Sequence, residues 1–61
     1  MLGISLNNSA PIYEQLINKI ENLVLTGILE PNESLPSVRE LATSLAVNPN
    51  TVQKAYTYLE Q

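Results

Sequence analysis

The sequence predicts a small all-α domain of three helices, and two observations support that fold class. Apolar residues recur at steps of three and four near both ends of the chain, and helix-start signals stand at Ser37 and at Asn48. A chain of 61 residues can form one small core, and on folding it buries only about 60% of the surface that the unfolded chain exposes. Cysteine and histidine are both absent, so disulfides and the usual zinc ligands are missing. We therefore expect a fold that depends on apolar packing, with no metal or cofactor.

Residues 1–9 are predicted to form an N-terminal arm, and residues 10–61 the helical domain. Leu2, Ile4 and Leu6 alternate with small residues, which suits a short extended segment. Terminal segments this short are often frayed, so the pattern leaves open whether the arm packs on the domain. Small polar residues followed by Pro11 form a helix-start signal. Helix 1 is therefore predicted to begin at residue 10 or 11.

Helix 1 is predicted to be amphipathic and to pack on a core. Its apolar stripe consists of Ile12, Leu16, Ile20, Leu23 and Val24, widened by Tyr13 and Ile17, and its polar face of Glu14, Asn18, Glu21 and Asn22. Gly27 is placed to end the helix in a left-handed cap. The following segment is predicted to turn and then extend, because Pro31 and Pro36 exclude a helix there.

Helices 2 and 3 have well-marked starts. Ser37 and Glu40 have the spacing of a capping box, in which serine and glutamate side chains satisfy free backbone N–H groups reciprocally. Asn48 before Pro49 suits an N-cap followed by proline at the first helical position. The predicted inner faces are Leu41, Ala42 and Leu45 on helix 2, and Val52, Ala55, Tyr56 and Leu59 on helix 3. Helix 2 is therefore short, and helix 3 is predicted to continue to about residue 60.

The short connection between these two helices is typical of a helix-turn-helix. We expect the small residues Ala42 and Ala46 to lie at the crossing of the helices, although any tight helix pair needs small residues, which leaves a plain helical bundle as an alternative. Asn50, Gln53, Lys54 and Thr57 are predicted to point outward from helix 3. A face of amides, a hydroxyl and a lysine differs from the usual solubilising mixture of glutamate and lysine. This face is therefore the candidate functional surface.

Amide side chains at the start of a helix can bond to the N6 and N7 atoms of adenine in the DNA major groove, and a threonine methyl can contact thymine. Asn50, Thr51 and Gln53 are thus the candidate base-contacting residues. The alternative interpretation is that the first two act as caps and that Gln53 is an ordinary solvated helix residue. Arg39 and Lys54 are the candidate phosphate partners, the alternative for Arg39 being a surface ion pair with Glu33.

The net charge of −3 opposes DNA binding. The distribution of charge along the chain weakens this objection to DNA binding, because residues 1–36 carry a net charge of −3 whereas residues 37–59 carry +1. No apolar run approaches the ~18 residues of a membrane span, and the N-terminus lacks a basic leader. We therefore expect a cytoplasmic protein without a membrane partner.

Four segments resemble the GntR family of winged helix-turn-helix regulators: residues 11–16 (PIYEQL), 27–31 (GILEP), 35–42 (LPSVRELA) and 47–52 (VNPNTV), with Ala55, Tyr56 and Leu59 after them. The resemblance covers residues 11–60, and the VNPNTV turn is most similar to the YtrA-like branch. It implies that helix 3 is the recognition helix and that Tyr56 packs inside. The positions that it implies to touch DNA are Ser37, Arg39, Asn48, Asn50, Thr51, Gln53 and Lys54.

The resemblance further implies a bacterial repressor that binds a two-fold double-stranded DNA operator as a homodimer, often controlling an operon for an ABC transporter. It leaves any small-molecule effector unknown. In this family a two-stranded wing and a dimerising or effector region follow the helices, so we expect residues 10–61 to form a domain that is incomplete at its C-terminal end. The sequence departs from the family at Asn32, where glycine is usual, although asparagine also tolerates a left-handed backbone.

Two alternative functions stay open on the sequence alone. One is a protein-interaction module that uses its acidic surface and does not bind DNA. The other is the reader domain of an aminotransferase-fused regulator, which shares a similar start to helix 1. Catalysis by these residues is not expected, because histidine and cysteine are absent and no pair of carboxylates is tied by spacing to a nucleophile.

Overall fold

A computed structural model describes residues 2–29 and 35–61 of the chain. Its elements are three helices, α1 (Ile12–Leu25), α2 (Val38–Leu45) and α3 (Pro49–Leu59), and the described residues contain no strand. Helix α3 packs against both α1 and α2. The central buried cluster consists of Leu16, Ile17, Leu41, Ala42, Val52 and Ala55. The all-α fold of three helices is therefore confirmed, with α3 as the central element.

Helix α1 begins at Ile12, slightly later than the sequence predicted. Pro11 is its N-cap, with φ −54° and ψ 141°, and no side chain caps the helix. The Pro11 carbonyl accepts hydrogen bonds from the N–H groups of Glu14 and Gln15 at 3.1 and 3.2 Å. The helix-start signal predicts a small polar N-cap and a proline in the first turn, and this prediction is wrong. The polar residues before Pro11 serve the arm instead.

Gln15 holds that arm in place. Its side-chain oxygen accepts from the Asn7 N–H at 3.0 Å, and its amide nitrogen donates to the carbonyls of Asn7 and Ala10 at 2.8 and 2.7 Å. These bonds explain how a polar side chain that is only 7% exposed is accommodated, since a buried amide without partners is costly. Ile4 and Leu6 pack against the core beside this clamp. The described part of the arm, residues 2–9, therefore packs on the domain, a question that the sequence left open.

The end of α1 follows the prediction. Gly27 has φ +80°, and its N–H donates to the Val24 carbonyl at 3.1 Å. Leu29, which is 4% exposed, donates its N–H to the Leu23 carbonyl at 2.9 Å and returns the chain toward the core. The predicted turn at Pro31 and Asn32, together with Glu33, lies outside the described residues.

Helix α2 begins with the predicted capping box. Glu40 donates its N–H to Ser37 Oγ at 3.0 Å, and Ser37 donates its N–H to Glu40 Oε1 at 3.2 Å. The helix ends at Leu45, and its C-cap is Ala46, whose left-handed backbone (φ 57°, ψ 45°) is unusual for alanine. Ala46 is also exposed, so the prediction that it lies at the helix crossing is wrong. Of the two alanines, Ala42 is the one that is buried between the helices, with 2% of its surface exposed. Ala46 lies outside because the chain has already left α2 at that residue.

Candidate nucleic-acid interface

The connection between α2 and α3 is three residues long, 46–48. The Val47 N–H donates to the Ala42 carbonyl at 3.0 Å, which closes the end of α2. Asn48 then has an extended backbone, and its Oδ1 accepts from the Asn50 N–H at 2.8 Å. Pro49 follows at the first helical position. The predicted N-cap and proline entry are thus confirmed, and they determine where the outward face of α3 begins.

Tyr56 fixes the orientation of α3 against the start of α2. Its hydroxyl donates to the Pro36 carbonyl at 2.7 Å, immediately before the Ser37 cap. Burial raises the pKa of Tyr56, and the nearby Glu40 carboxylate raises it further. The phenol is therefore neutral at pH 7 and acts as the donor in this bond. The side chain is half-buried against the core, in agreement with the predicted inward position.

The outward residues of α3 lie where the sequence placed them. Asn50, Gln53, Lys54 and Thr57 are exposed, whereas Thr51 is half-buried. Gln53 Nε2 donates to Thr57 Oγ1 at 3.1 Å. This bond uses one of the two N–H donors of Gln53, so the second donor and Oε1 can still contact a partner. A donor beside an acceptor is the combination that the N7 and N6 atoms of adenine require.

The remaining candidate side chains are also exposed, but capping uses part of their hydrogen-bonding capacity. The Ser37 oxygen accepts a backbone bond, so its hydroxyl proton is what it can donate to a partner. Asn48 uses Oδ1 as a cap in the same way, which leaves its NH₂ group as a donor. Arg39 is exposed in the first turn of α2. The Pro36–Tyr56 bond connects the segment that carries Ser37 to the helix that carries Lys54.

Lys54 contacts Tyr13, a residue that the apolar pattern of helix 1 places in the core-facing stripe. Its Nζ lies 3.9 Å from the ring centroid of Tyr13, well within the ~6 Å range of a cation–π interaction. The two residues are far apart in the chain, and no local pattern relates them. Only the packing of α1 against α3 brings them together.

Two short helices joined by three residues, with the second helix exposing a polar face from its first turn, define a helix-turn-helix domain. The family comparison narrows this class. The chain belongs to the GntR family of bacterial regulatory proteins, whose family model matches residues 12–61. The resemblance found in the sequence is therefore confirmed.

Known proteins similar to this chain support the YtrA-like assignment. The chain is 54% identical over its 61 residues to the HTH-type transcriptional repressor YtrA of Bacillus subtilis (strain 168), of which it covers 47%. A solved structure of YtrA from Sulfolobus acidocaldarius, a GntR-family transcription factor, matches with a TM-score of 0.83 and 48% identity, covering 95% of this chain and 62% of that one. These relatives are described as transcription regulators, in agreement with the expectation that these 61 residues carry no catalysis.

A transcriptional antiterminator from Listeria monocytogenes EGD-e also has a similar structure, with a TM-score of 0.85 and 47% identity over 98% of this chain and 45% of that one. The chain thus spans about half the length of Bacillus subtilis YtrA and of this Listeria protein. Within residues 2–29 and 35–61, no helix is long and apolar enough to cross a membrane. The same residues contain no group of acidic, cysteine or histidine side chains positioned to hold a metal ion.

Proposed function

We propose that this chain is the DNA-reading part of a transcription repressor that places α3 in the major groove of an operator. The observation that carries the proposal is the exposed polar face of α3, which starts at the Asn48–Pro49 entry of a helix-turn-helix. The 54% identity to a transcriptional repressor supports the same function. A recognition helix contacts base edges mainly through its N-terminal residues, which is where these polar side chains lie.

The proposed roles divide the seven candidate residues into three that contact bases and four that contact the DNA backbone. Asn50 and Gln53 contact adenine, and the Thr51 methyl group contacts thymine, each bidentate amide–adenine pair being worth about 1–3 kcal/mol of discrimination. Arg39 and Lys54 bind phosphates and fix the register on the duplex. Ser37 and Asn48 donate to the DNA backbone through the hydrogens that capping leaves available.

The assembly is part of the same proposal. Residues 1–9 form the arm and residues 10–61 the helix-turn-helix part of a winged domain, whose wing and dimerising segments belong to the remainder of a protein of the relatives' length. A homodimer matches a two-fold operator and doubles the phosphate contacts. This matters because Arg39 and Lys54 are the only basic residues that one protomer carries between positions 37 and 59. The protein acts in the cytoplasm, and its effector is undefined.

One observation favours a different function. The net charge of −3 suits a protein-interaction module better than a DNA binder. Such a module shows no salt-dependent DNA binding and instead forms a stable complex with another protein. The alternative of an aminotransferase-fused reader shares the DNA-binding role and differs in the length of the intact chain. The identity to YtrA over all 61 residues favours the repressor.

A binding titration with the intact protein tests the proposal. The operator is first selected from a random duplex pool, and affinities for this operator and for a random-sequence duplex are then compared. Asn50→Ala should weaken operator binding about 5- to 150-fold and leave random-duplex binding almost unchanged. Asn18→Ala removes an exposed asparagine from α1 and is the matched control. Equal wild-type affinities for the two duplexes, or an unchanged base preference in Asn50→Ala, would contradict base reading by α3.

A further inference from the structure

We propose that Tyr13 is a positioning residue for DNA binding, because its ring holds the Lys54 ammonium group at the place where that group meets a DNA phosphate. The inference rests on the proposed function and adds a residue of α1 to the machinery of the reading helix. It starts from one contact between two helices, in which Lys54 Nζ lies 3.9 Å from the centroid of the Tyr13 ring.

The ring is the fixed partner in this contact. Tyr13 is in the first turn of α1, is half-buried and packs against the core cluster. Lys54 is exposed on α3 and has a flexible four-carbon stem. Since α1 and α3 pack directly against each other, the position of the ring is set by the core and does not depend on the lysine. The ring therefore restrains the lysine.

The contact leaves the ammonium group able to bind phosphate. An ammonium has three N–H donors and attracts the ring through its charge, so donors on the side away from the ring can still bond an oxygen. A lysine that is already restrained loses less conformational entropy when it binds than a freely rotating one. The ring thus favours phosphate binding by Lys54 and does not compete with it.

The position of Lys54 matters because cations are scarce on this face. Arg39 and Lys54 are the basic residues between positions 37 and 59, against one glutamate. Each neutralised phosphate contributes about 0.9 to the slope of log affinity against log salt concentration for double-stranded DNA. The loss of an ordered Lys54 should therefore be measurable as a change in overall affinity that is the same on every DNA sequence.

A double-mutant cycle in the intact protein measures the coupling between the two residues. The variants are Tyr13→Leu, Tyr13→Phe, Lys54→Gln and the Tyr13→Leu, Lys54→Gln pair, titrated on one random-sequence duplex over a series of salt concentrations. Tyr13→Leu should weaken binding about 2- to 12-fold, because the freed lysine side chain must then be ordered when it binds the phosphate. Tyr13→Phe keeps the ring and should bind like the wild type. Lys54→Gln should reduce the salt slope by about 1, and adding Tyr13→Leu to it should cause no further loss.

Coupling between the two side chains distinguishes positioning from mere structural support. Tighter DNA binding by Tyr13→Leu, or an equal loss with and without Lys54, would overturn the inference. If Tyr13→Leu unfolds, the ring-current shift of the Lys54 methylene protons in the folded wild type provides the test by NMR. The shift should persist when the random-sequence duplex is added, and its disappearance would show that Lys54 leaves the ring. If the wild type shows no salt-dependent binding, the proposed function fails; if it binds DNA without coupling, this inference alone fails.

Discussion

Replacing Ala46 with glycine should stabilise the domain, although alanine is the better helix former. Ala46 has φ 57° and ψ 45°, a left-handed conformation that costs an L-residue about 1–2 kcal/mol. Glycine adopts it without that cost but gives the unfolded chain more freedom, which subtracts about 0.5–1 kcal/mol. The side chain is exposed, so its removal loses little packing. These two ranges combine to a net gain between 0 and about 1.5 kcal/mol, and the expected gain in the free energy of unfolding is about 0.7 kcal/mol.

The assay is thermal unfolding followed by circular dichroism. A gain of that size should raise the Tm by about 2–8 °C in a domain of this length. Ala42→Gly is the matched control, because Ala42 is 2% exposed inside α2, where glycine costs about 1 kcal/mol and a buried methyl group is lost. The control should therefore lower the Tm. A lower Tm for Ala46→Gly would contradict this prediction and show that the left-handed cap carries no strain.

Two further predictions concern the contacts that hold the fold. Gln15→Ala should destabilise the domain by about 1–3 kcal/mol, since it removes three hydrogen bonds that hold the arm, while the exposed Asn18→Ala stays within about 0.5 kcal/mol of the wild type by chemical denaturation. A loss no larger than that of the control would contradict the clamp. Tyr56→Phe should cost about 0.5–1.5 kcal/mol at pH 7 by removing the bond to Pro36. Because the folded-state pKa of Tyr56 is raised, its contribution is complete below about pH 10 and is lost as the pH rises through the raised pKa. The stability difference between wild type and Tyr56→Phe should therefore shrink with alkaline pH, and a difference that grows would contradict the assignment.

The parts of the fold that sequence reasoning predicted are those decided by local chemistry. Ser37, Asn48 and Gly27 act within three residues of their own positions, so the helix boundaries that they mark could be found from spacing alone. The apolar stripes were predicted for the same reason, because helical periodicity is a local property.

The features that were missed depend on parts of the chain that meet only in the folded state. Gln15 is buried because the arm folds back over it, and a glutamine on an amphipathic helix gives no sign of that. Ala46 was expected at the helix crossing because it is small, but its backbone had already turned left-handed to end α2. The contact of Tyr13 with Lys54 likewise requires α1 and α3 to be packed together.

The candidate DNA-binding residues divide in the same way. The exposure of Asn50, Gln53 and Lys54 on α3 follows from helix periodicity, whereas Thr51 is half-buried. Periodicity does not predict which donors and acceptors of the candidate residues can still meet DNA. Three hydrogen bonds decide this: the capping bonds at Ser37 and Asn48, and the bond between Gln53 and Thr57. The proposed roles of Gln53 and Asn48 therefore depend on the structure as much as on the residue types.

Selection from a random duplex pool shows whether α3 reads bases through Asn50 and Gln53. The intact wild-type protein, Asn50→Ala, Gln53→Ala and the Asn18→Ala control are each used to select duplexes, and the selected sequences are compared position by position. Each α3 variant should lose an adenine preference at one position of each half-site, and the control should keep the wild-type profile. Identical profiles for all four proteins would contradict base reading by α3.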